Sequence, residues 1–225
     1  MLYGAAEFSR DTDLALLASP ENLMQLQAAL DALGAWVVAV PPLGLEYLER
    51  GHAVHCAYDD PEGGRMRIDV MARMRNVDPF PVLWARRTTL ALEGVGDVEV
   101  LSLPDLAASK KTQRDKDWPM LRRLVEVSYF TFRRELTQAR VRFWLLELRT
   151  PALLLEATAR FGDEARELAA QRPLLADALA GVEDAVVAGL AREEAAEREA
   201  DRAYWAPLRA ELEALRRRAR QEEAE

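Results

Sequence analysis

Two aspartates stand two residues apart near the start of the chain, in Ser-Arg-Asp-Thr-Asp-Leu-Ala-Leu at 9–16. Because side chains alternate along a strand, Asp11 and Asp13 are predicted to share one face, roughly 7 Å apart along the chain. Each carboxylate raises the cost of ionising the other unless a cation lies between them. Mg²⁺ suits this role, because it prefers oxygen ligands and completes its shell with water and substrate phosphates.

A third acid, Asp69, stands alone inside an apolar run, where an unpaired charge would be costly. Together with Asp11 and Asp13 it would complete a clamp for two metal ions about 3.5–4 Å apart. Two plainer explanations stay open. Asp11 and Asp13 would serve as turn and helix-capping residues, and Asp69 would pair with an arginine such as Arg67 or Arg73.

The elements that must position these acids lie in residues 1–103, where short apolar runs are separated by glycine and proline. The runs predict strands at Thr12–Leu17, Ala35–Val40, His52–Tyr58, Met66–Ala72, Thr88–Leu92 and Val98–Leu103. Residue types typical of a hairpin connection stand between the third and fourth runs, at 60–64. A helix is predicted between the first two runs, with Ser19 as its cap, Pro20 in its first turn and Gly34 at its end.

Residues 104–225 are nearly all helical by pattern. The apolar residues of 121–148 keep helical spacing, and breaks are predicted at Pro151, Gly162 and Pro173. The apolar stripe at 205–215 is either a helix that packs back on the bundle or a surface that binds a partner. We therefore predict an α+β domain at 1–117 and a helical region at 118–225.

Composition excludes several classes of protein. The chain has 225 residues, half of them hydrophobic, and a formal net charge of -8. This acidity argues against a general nucleic-acid coat, although it leaves room for a local basic groove. Cys56 is the single cysteine, so no intramolecular disulfide can form. No apolar run of about 18 residues is present, and we expect a cytoplasmic protein without a membrane span.

Three further groups of residues are weaker candidates for sites. His52 and His55 stand three apart on a predicted strand and so face opposite sides, which excludes a shared metal ion without a bulge. Cys56 is interpreted as a small buried residue. Four tryptophans sit among apolar neighbours, which favours core packing over base stacking: Trp36, Trp84, Trp118 and Trp144.

These motifs together resemble the minimal nucleotidyltransferases of the polymerase-β-like superfamily, in the branch that contains abortive-infection-type toxins. Tyr-Gly at 3–4 is followed by Ser-Arg-Asp-Thr-Asp-Leu at 9–14, and Arg-Ile-Asp-Val at 67–70 supplies the third acid. Val-Leu-Ser-Leu-Pro-Asp-Leu-Ala-Ala-Ser-Lys at 100–110, followed by Arg-Asp-Lys-Asp at 114–117, completes the pattern. The resemblance covers about residues 1–125.

The resemblance implies a nucleotidyltransferase-like mixed sheet with flanking helices and two Mg²⁺ ions held by Asp11, Asp13 and Asp69. It implies that Asp69 also assists deprotonation of the attacking hydroxyl. Lys110 would face the triphosphate, and substrate would also meet the residues Ser9, Arg10 and Arg114. A second interpretation pairs Arg114 with Asp117.

Lysine use is consistent with a phosphate contact. The chain has three lysines, at 110, 111 and 116, while arginine supplies its other cationic side chains. A compact ammonium is a point-charge phosphate ligand that a planar guanidinium does not replace well. The alternative is a solvated helix terminus in a chain that prefers arginine.

The family pattern also has an apolar strand ending in Gly-Gly or Gly-Ser upstream of the paired aspartates, where backbone amides hold phosphate. The ten residues before Asp11 do not contain it. Either the coding sequence begins further upstream, or the protein lacks the backbone amides that bind the nucleotide phosphates in the family. In the second case we expect an exposed sheet edge, covered by a partner or by a C-terminal element.

Three functions follow from these patterns. The first is transfer of a nucleoside monophosphate from an NTP to a hydroxyl acceptor on tRNA or protein, in a toxin with a cognate antitoxin. The second is a catalytically degenerate member of the same fold that binds a nucleotide or a partner. The third is a helical interaction module in which the N-terminal acids are incidental.

Overall fold

The structure is a computed structural model that describes residue 3 and residues 11–222. Its strands in this part of the chain are β1 (Asp11–Ala15), β2 (Trp36–Val37), β3 (Val54–Asp60), β4 (Gly64–Met71), β5 (Thr88–Leu92) and β6 (Gly96–Val100). The helices of the first half are α1 (Pro20–Leu33), α2 (Leu45–Arg50), α3 (Phe80–Ala85) and α4 (Leu103–Ser109). Those that follow are α5 (Asp117–Phe132), α6 (Gln138–Glu147), α7 (Pro151–Arg160), α8 (Gly162–Leu168), α9 (Leu174–Leu179) and α10 (Glu183–Glu222).

The protein is α+β, with a mixed sheet followed by a helical C-terminal region. Four strands form one sheet in the order β1-β4-β3-β2, and β5 and β6 form a separate hairpin. Strand β1 runs parallel to β4, whereas β4, β3 and β2 pair antiparallel. The predicted turn at 60–64 is confirmed, because Asp60 pairs with Gly64 at the closed end of the β3–β4 hairpin.

One face of the sheet packs against α1 and α2. Its buried core cluster consists of Leu30, Leu48, Val54, Cys56, Ile68 and Val70. Because strand side chains alternate, the residues between these positions on β3 and β4 lie on the opposite face. That second face carries His55, Arg67 and Asp69.

Helix α1 begins and ends as its sequence predicts. The hydroxyl of Ser19 accepts a hydrogen bond from the backbone N–H of Asn22 at 3.2 Å, and Pro20 is the first helical residue. Gly34 ends the helix with a φ of 65°, a conformation that glycine adopts without a steric penalty. The predicted helix between the first two strands is therefore confirmed.

The long apolar pattern at 121–148 belongs to two helices rather than to one. Helix α5 ends at Phe132 and α6 begins at Gln138. Thr137 adopts an extended backbone, and its hydroxyl accepts a hydrogen bond from the backbone N–H of Arg140 at 3.2 Å. A threonine that caps a new helix interrupts the old one. The predicted breaks at Pro151, Gly162 and Pro173 are confirmed.

The described chain forms two compact units. The helical unit contains Leu106–Arg202, and the sheet unit contains residues 11–105 together with 203–222. The end of α10 packs within the sheet unit, where Leu208 is buried and Glu211 contacts His52. The apolar stripe at 205–215 therefore packs within its own chain, but on the sheet unit rather than on the helical bundle. The division at 117/118 stays a prediction.

The tryptophans divide into two pairs. Trp118 and Trp144 are buried in the helical unit, as predicted. Trp36 and Trp84 are 40% and 46% exposed, so the prediction of core packing was wrong for them. Trp36 lies on the two-residue edge strand β2, and Trp84 lies on the short helix α3, where too little chain surrounds either ring to bury it.

Candidate active site

Three aspartates lie on the second face of the sheet, opposite the core. Asp13 is the register partner of Asp69 on β4, and Asp11 is the register partner of Arg67. Register partners on neighbouring strands lie about 5 Å apart and point to the same side. The structure thus places Asp11, Asp13 and Asp69 on one face, where Asp11 and Asp13 are exposed and Asp69 is 8% exposed.

The carboxylate of Asp69 is bonded on both oxygens. Arg67 donates from Nε to Oδ1 at 2.6 Å and from Nη2 to Oδ2 at 2.5 Å. On the other side, Nδ1 of His55 lies 2.8 Å from Oδ1, a hydrogen bond that His55 donates when Nδ1 carries the proton. The pairing of Asp69 with Arg67, one of the two interpretations of this acid, is therefore present in the structure.

Electrostatics keeps Asp69 ionised. Burial alone would raise its pKa, but the hydrogen bonds and charges of His55 and Arg67 outweigh burial and lower the pKa to about 2. The pKa of Arg67 is raised, first by its hydrogen bond to Asp69 and further by the charges of Asp69, Asp11 and Asp13. Arg67 therefore lies in the field of all three carboxylates and supplies the positive charge that they require.

Within residues 11–222 and residue 3, no three His, Cys, Asp or Glu side chains are grouped so that they could hold a metal ion. The bidentate bond from Arg67 gives a physical reason, because it occupies the oxygens that Asp69 would offer. The chemistry of the donor set still suits Mg²⁺, since all three candidate ligands are carboxylates on one face. Asp69 would have to exchange Arg67 for the ion.

The histidines and the cysteine do not form a metal site of their own. His52 is buried beyond the end of α2 with Nε2 2.9 Å from Oε2 of Glu211, whereas His55 lies on the acidic face. Cys56 is buried in the core, as predicted, and burial followed by the charge of Asp69 raises the pKa of its thiol.

The remaining predicted contacts to substrate belong to the helical unit or to undescribed residues. Ser9 and Arg10 lie outside the described residues. In the helical unit, the backbone N–H of Lys110 bonds to the carbonyl of Leu106 and closes the last turn of α4. Arg114 donates from Nε to the carboxylate of Asp117 at 2.9 Å, which is the second of its two predicted roles.

The segment that joins α4 to α5 is held by buried polar groups. Asp117 is 1% exposed and accepts from the hydroxyl of Thr112, and the indole of Trp118 donates to the carbonyl of Thr112 at 2.8 Å. Lys111 contacts Glu147 at 2.7 Å. Within the lysine-rich stretch, Lys111 therefore has a structural role as the partner of Glu147. Lys110 stays the predicted triphosphate contact.

Comparison with known proteins adds no relative: no family model, curated protein or solved structure matches the chain. The resemblance to nucleotidyltransferases therefore stays a prediction from the sequence motifs. No helix in the described chain combines the length and the apolar character needed to cross a membrane.

Sequence reasoning missed His55 as a member of this site. A usable signal was present in the turn at 60–64. Counting back along both strands from the Asp60–Gly64 pair places residue 55 opposite residue 69, and that is the register in the structure. The spacing of His52 and His55 along one strand does not show this contact, whereas the pairing across the hairpin does.

Proposed function

We propose that this protein transfers a nucleoside monophosphate from an NTP to a hydroxyl acceptor. The observation that carries the proposal is the pairing of Asp13 with Asp69 across parallel strands, with Asp11 on the same exposed face. Nucleotidyl transfer needs substrate positioning and charge neutralisation more than covalent chemistry from the protein, and clustered carboxylates that hold cations meet that need.

Each residue then has a role. Asp11, Asp13 and Asp69 hold two Mg²⁺ ions, which neutralise phosphate charge and activate the acceptor hydroxyl when bound. Asp69 is held ionised, with a pKa of about 2, by its bonds to His55 and Arg67, and it would become a metal ligand by exchanging Arg67 for the ion. Its part in deprotonation of the acceptor is what the resemblance implies. The resemblance also implies a triphosphate contact from Lys110 and substrate contacts from Ser9, Arg10 and Arg114, and Arg114 would have to leave Asp117 to make its contact. The acceptor is tRNA or a protein, and a cognate antitoxin is the expected partner.

The test is incorporation of label from each α-³²P-labelled NTP into total cell RNA and protein in the presence of Mg²⁺. We expect incorporation with the unaltered protein and its loss, by at least about a hundredfold, in Asp13→Asn and Asp69→Asn. Asp97→Asn is the matched control, because Asp97 is an exposed acid on β6 outside the four-stranded sheet. Equal incorporation in Asp69→Asn and in the control would contradict the proposal.

A second function, nucleotide binding without turnover, is favoured by a specific observation. Both oxygens of Asp69 already accept hydrogen bonds from Arg67 and His55. If Asp69 keeps these partners when nucleotide is present, the site binds but does not transfer. Stabilisation of the protein by Mg²⁺-NTP, without incorporation of label into any acceptor, would identify this second function.

A further inference from the structure

An exposed aromatic ring lies on the same face of the sheet as the aspartates. Trp36 on β2 is the register partner of Ala57, Ala57 is the partner of Arg67, and Arg67 is the partner of Asp11. Register partners point to one side of a sheet, so a single row runs across all four strands. It joins an aromatic side chain at one edge to a carboxylate at the other.

The ring of Trp36 is available for contact. It is 40% exposed, and the guanidinium of Arg65 lies 5.2 Å from the ring centroid. Between Trp36 and Arg67 in the row stands Ala57, which is buried. The exposed surface on this face is therefore formed by Trp36 together with the guanidinium of Arg65 that lies over its ring.

The spacing fits one nucleotide. Strands in a sheet are about 4.8 Å apart, so β2 lies roughly 10 Å from β4, which carries Asp69. In a nucleoside triphosphate, one sugar ring separates the base from the α-phosphate, which is the phosphate that reacts. With phosphate at the aspartates and the arginines of β4, the base therefore reaches the strand that carries Trp36. Two arginines of β4 also lie on this face: Arg65, which pairs with Asp59 and lies over the Trp36 ring, and Arg67, which pairs with Asp69.

We infer that Trp36 is the stacking platform for the base of the NTP, an inference that rests on the proposed function. Stacking on an indole tolerates every base, because each base has a π-face. The site therefore holds the four NTPs with similar affinity, and Trp36 acts as a positioning residue for the donor nucleotide rather than as a catalytic one.

The experiment compares two ligands that differ by the nucleoside. Equilibrium dissociation constants are measured with Mg²⁺ for a non-hydrolysable ATP analogue and for inorganic tripolyphosphate. We expect Trp36→Ala to weaken binding of the ATP analogue about tenfold or more and to leave tripolyphosphate binding unchanged. Trp36→Phe keeps an aromatic face and restores most of the affinity. Trp84→Ala is the matched control, because Trp84 is similarly exposed and lies 4.0 Å from an arginine, but on α3.

The outcomes separate this inference from the function on which it rests. Equal weakening of both ligands by Trp36→Ala, or no effect on either one, overturns the stacking role while the function stands. Loss of tripolyphosphate binding in Asp13→Asn supports the phosphate end of the site. If the unaltered protein binds neither ligand, the proposed function and the inference both fail. Melting temperatures of the two Trp36 variants within a few degrees of the parent exclude misfolding as the cause.

Discussion

Asp13 and Asp69 are direct register partners on the parallel strands β1 and β4. The two residues are far apart in sequence, and the parallel pairing aligns them on the face that is not used by the core. Asp11 lies two residues before Asp13 and so shares this face. The proposed function follows from these three acids on one face beside Arg67, of which Asp11 and Asp13 are exposed and Asp69 is nearly buried.

Removal of Arg67 should destabilise the sheet unit. In Arg67→Ala, Asp69 keeps His55 but loses both arginine hydrogen bonds, and its nearly buried carboxylate is left short of donors. We expect a loss of about 1–2 kcal/mol in the free energy of unfolding, measured in urea. Arg65→Ala is the control on the same strand. Arg65 pairs with the exposed Asp59, so no more than about half of that loss is expected. An equal loss in both variants would refute the special role of Arg67.

The pH dependence of stability should reveal the ionisation of Asp69. Its pKa is about 2 in the folded protein, against 3.8 ordinarily, so folding favours the ionised form. The resulting stabilisation, about 2 kcal/mol, is present above about pH 4 and is lost as the pH falls from about 4 to about 2. In Asp69→Asn this part of the acid dependence should disappear. Urea unfolding of both proteins at pH 5, 4 and 3 gives the free energy of unfolding at each pH. If this free energy falls equally with pH in both proteins, the pKa of Asp69 is not lowered.

Lys111 should matter for stability because it neutralises Glu147 in a largely buried pair. Their side chains are 13% and 15% exposed, and Oε2 of Glu147 has no hydrogen-bond partner. Lys111→Met removes the nearer of two positive charges and leaves Glu147 with Arg149 at 3.9 Å, so we expect a loss of about 2 kcal/mol. Lys116→Met, at an exposed position, should change the urea midpoint little. A small effect at Lys111 would instead favour a solvated role for the whole lysine stretch.

The packing of the end of α10 should be stabilised by its contact with one buried histidine. The side chain of His52 is fully buried, and its Nε2 contacts the carboxylate of Glu211. This hydrogen bond lowers the pKa of Glu211, and the nearby charges of His52 and Arg50 lower it further. Glu211→Ala removes the partner, with an expected loss of about 1–2 kcal/mol and earlier proteolytic cleavage of the α10 terminus. Glu213→Ala, on an exposed part of the same helix, is the control. Equal resistance of the α10 terminus to proteolysis in the two variants would show that the contact with His52 does not hold the helix in place.

Local signals in the sequence predicted much of the fold. Ser19, Pro20 and Gly34 define α1 because helix ends strongly favour particular residue types at the capping positions. The turn at 60–64 fixes the register of β3 and β4, which is sufficient to place His55 opposite Asp69. By contrast, Thr137 interrupts the helical pattern of 121–148 because its hydroxyl caps a new helix, and periodicity does not show that.

Long-range relationships were harder to predict. The register of β1 against β4 is set by tertiary packing, because more than forty residues separate the strands, so the shared face of Asp13 and Asp69 was a hypothesis. Asp69 pairs with Arg67 rather than with Arg73 because residues 67 and 69 share one face of β4, whereas β4 ends at Met71, before residue 73. Exposure of Trp36 depends on the shortness of β2 and its place at the sheet edge, and its apolar neighbours in sequence pointed the other way.

Counting bound divalent ions tests the site most directly. Mn²⁺ in place of Mg²⁺ can be titrated by electron paramagnetic resonance, with a non-hydrolysable ATP analogue present. We expect about two tightly bound ions per chain in the unaltered protein. In the Asp11→Asn, Asp13→Asn, Asp69→Asn triple variant we expect none, while Asp97→Asn should bind as the parent does. Undiminished Mn²⁺ binding in a folded triple variant would contradict the assignment of these three carboxylates as the metal ligands.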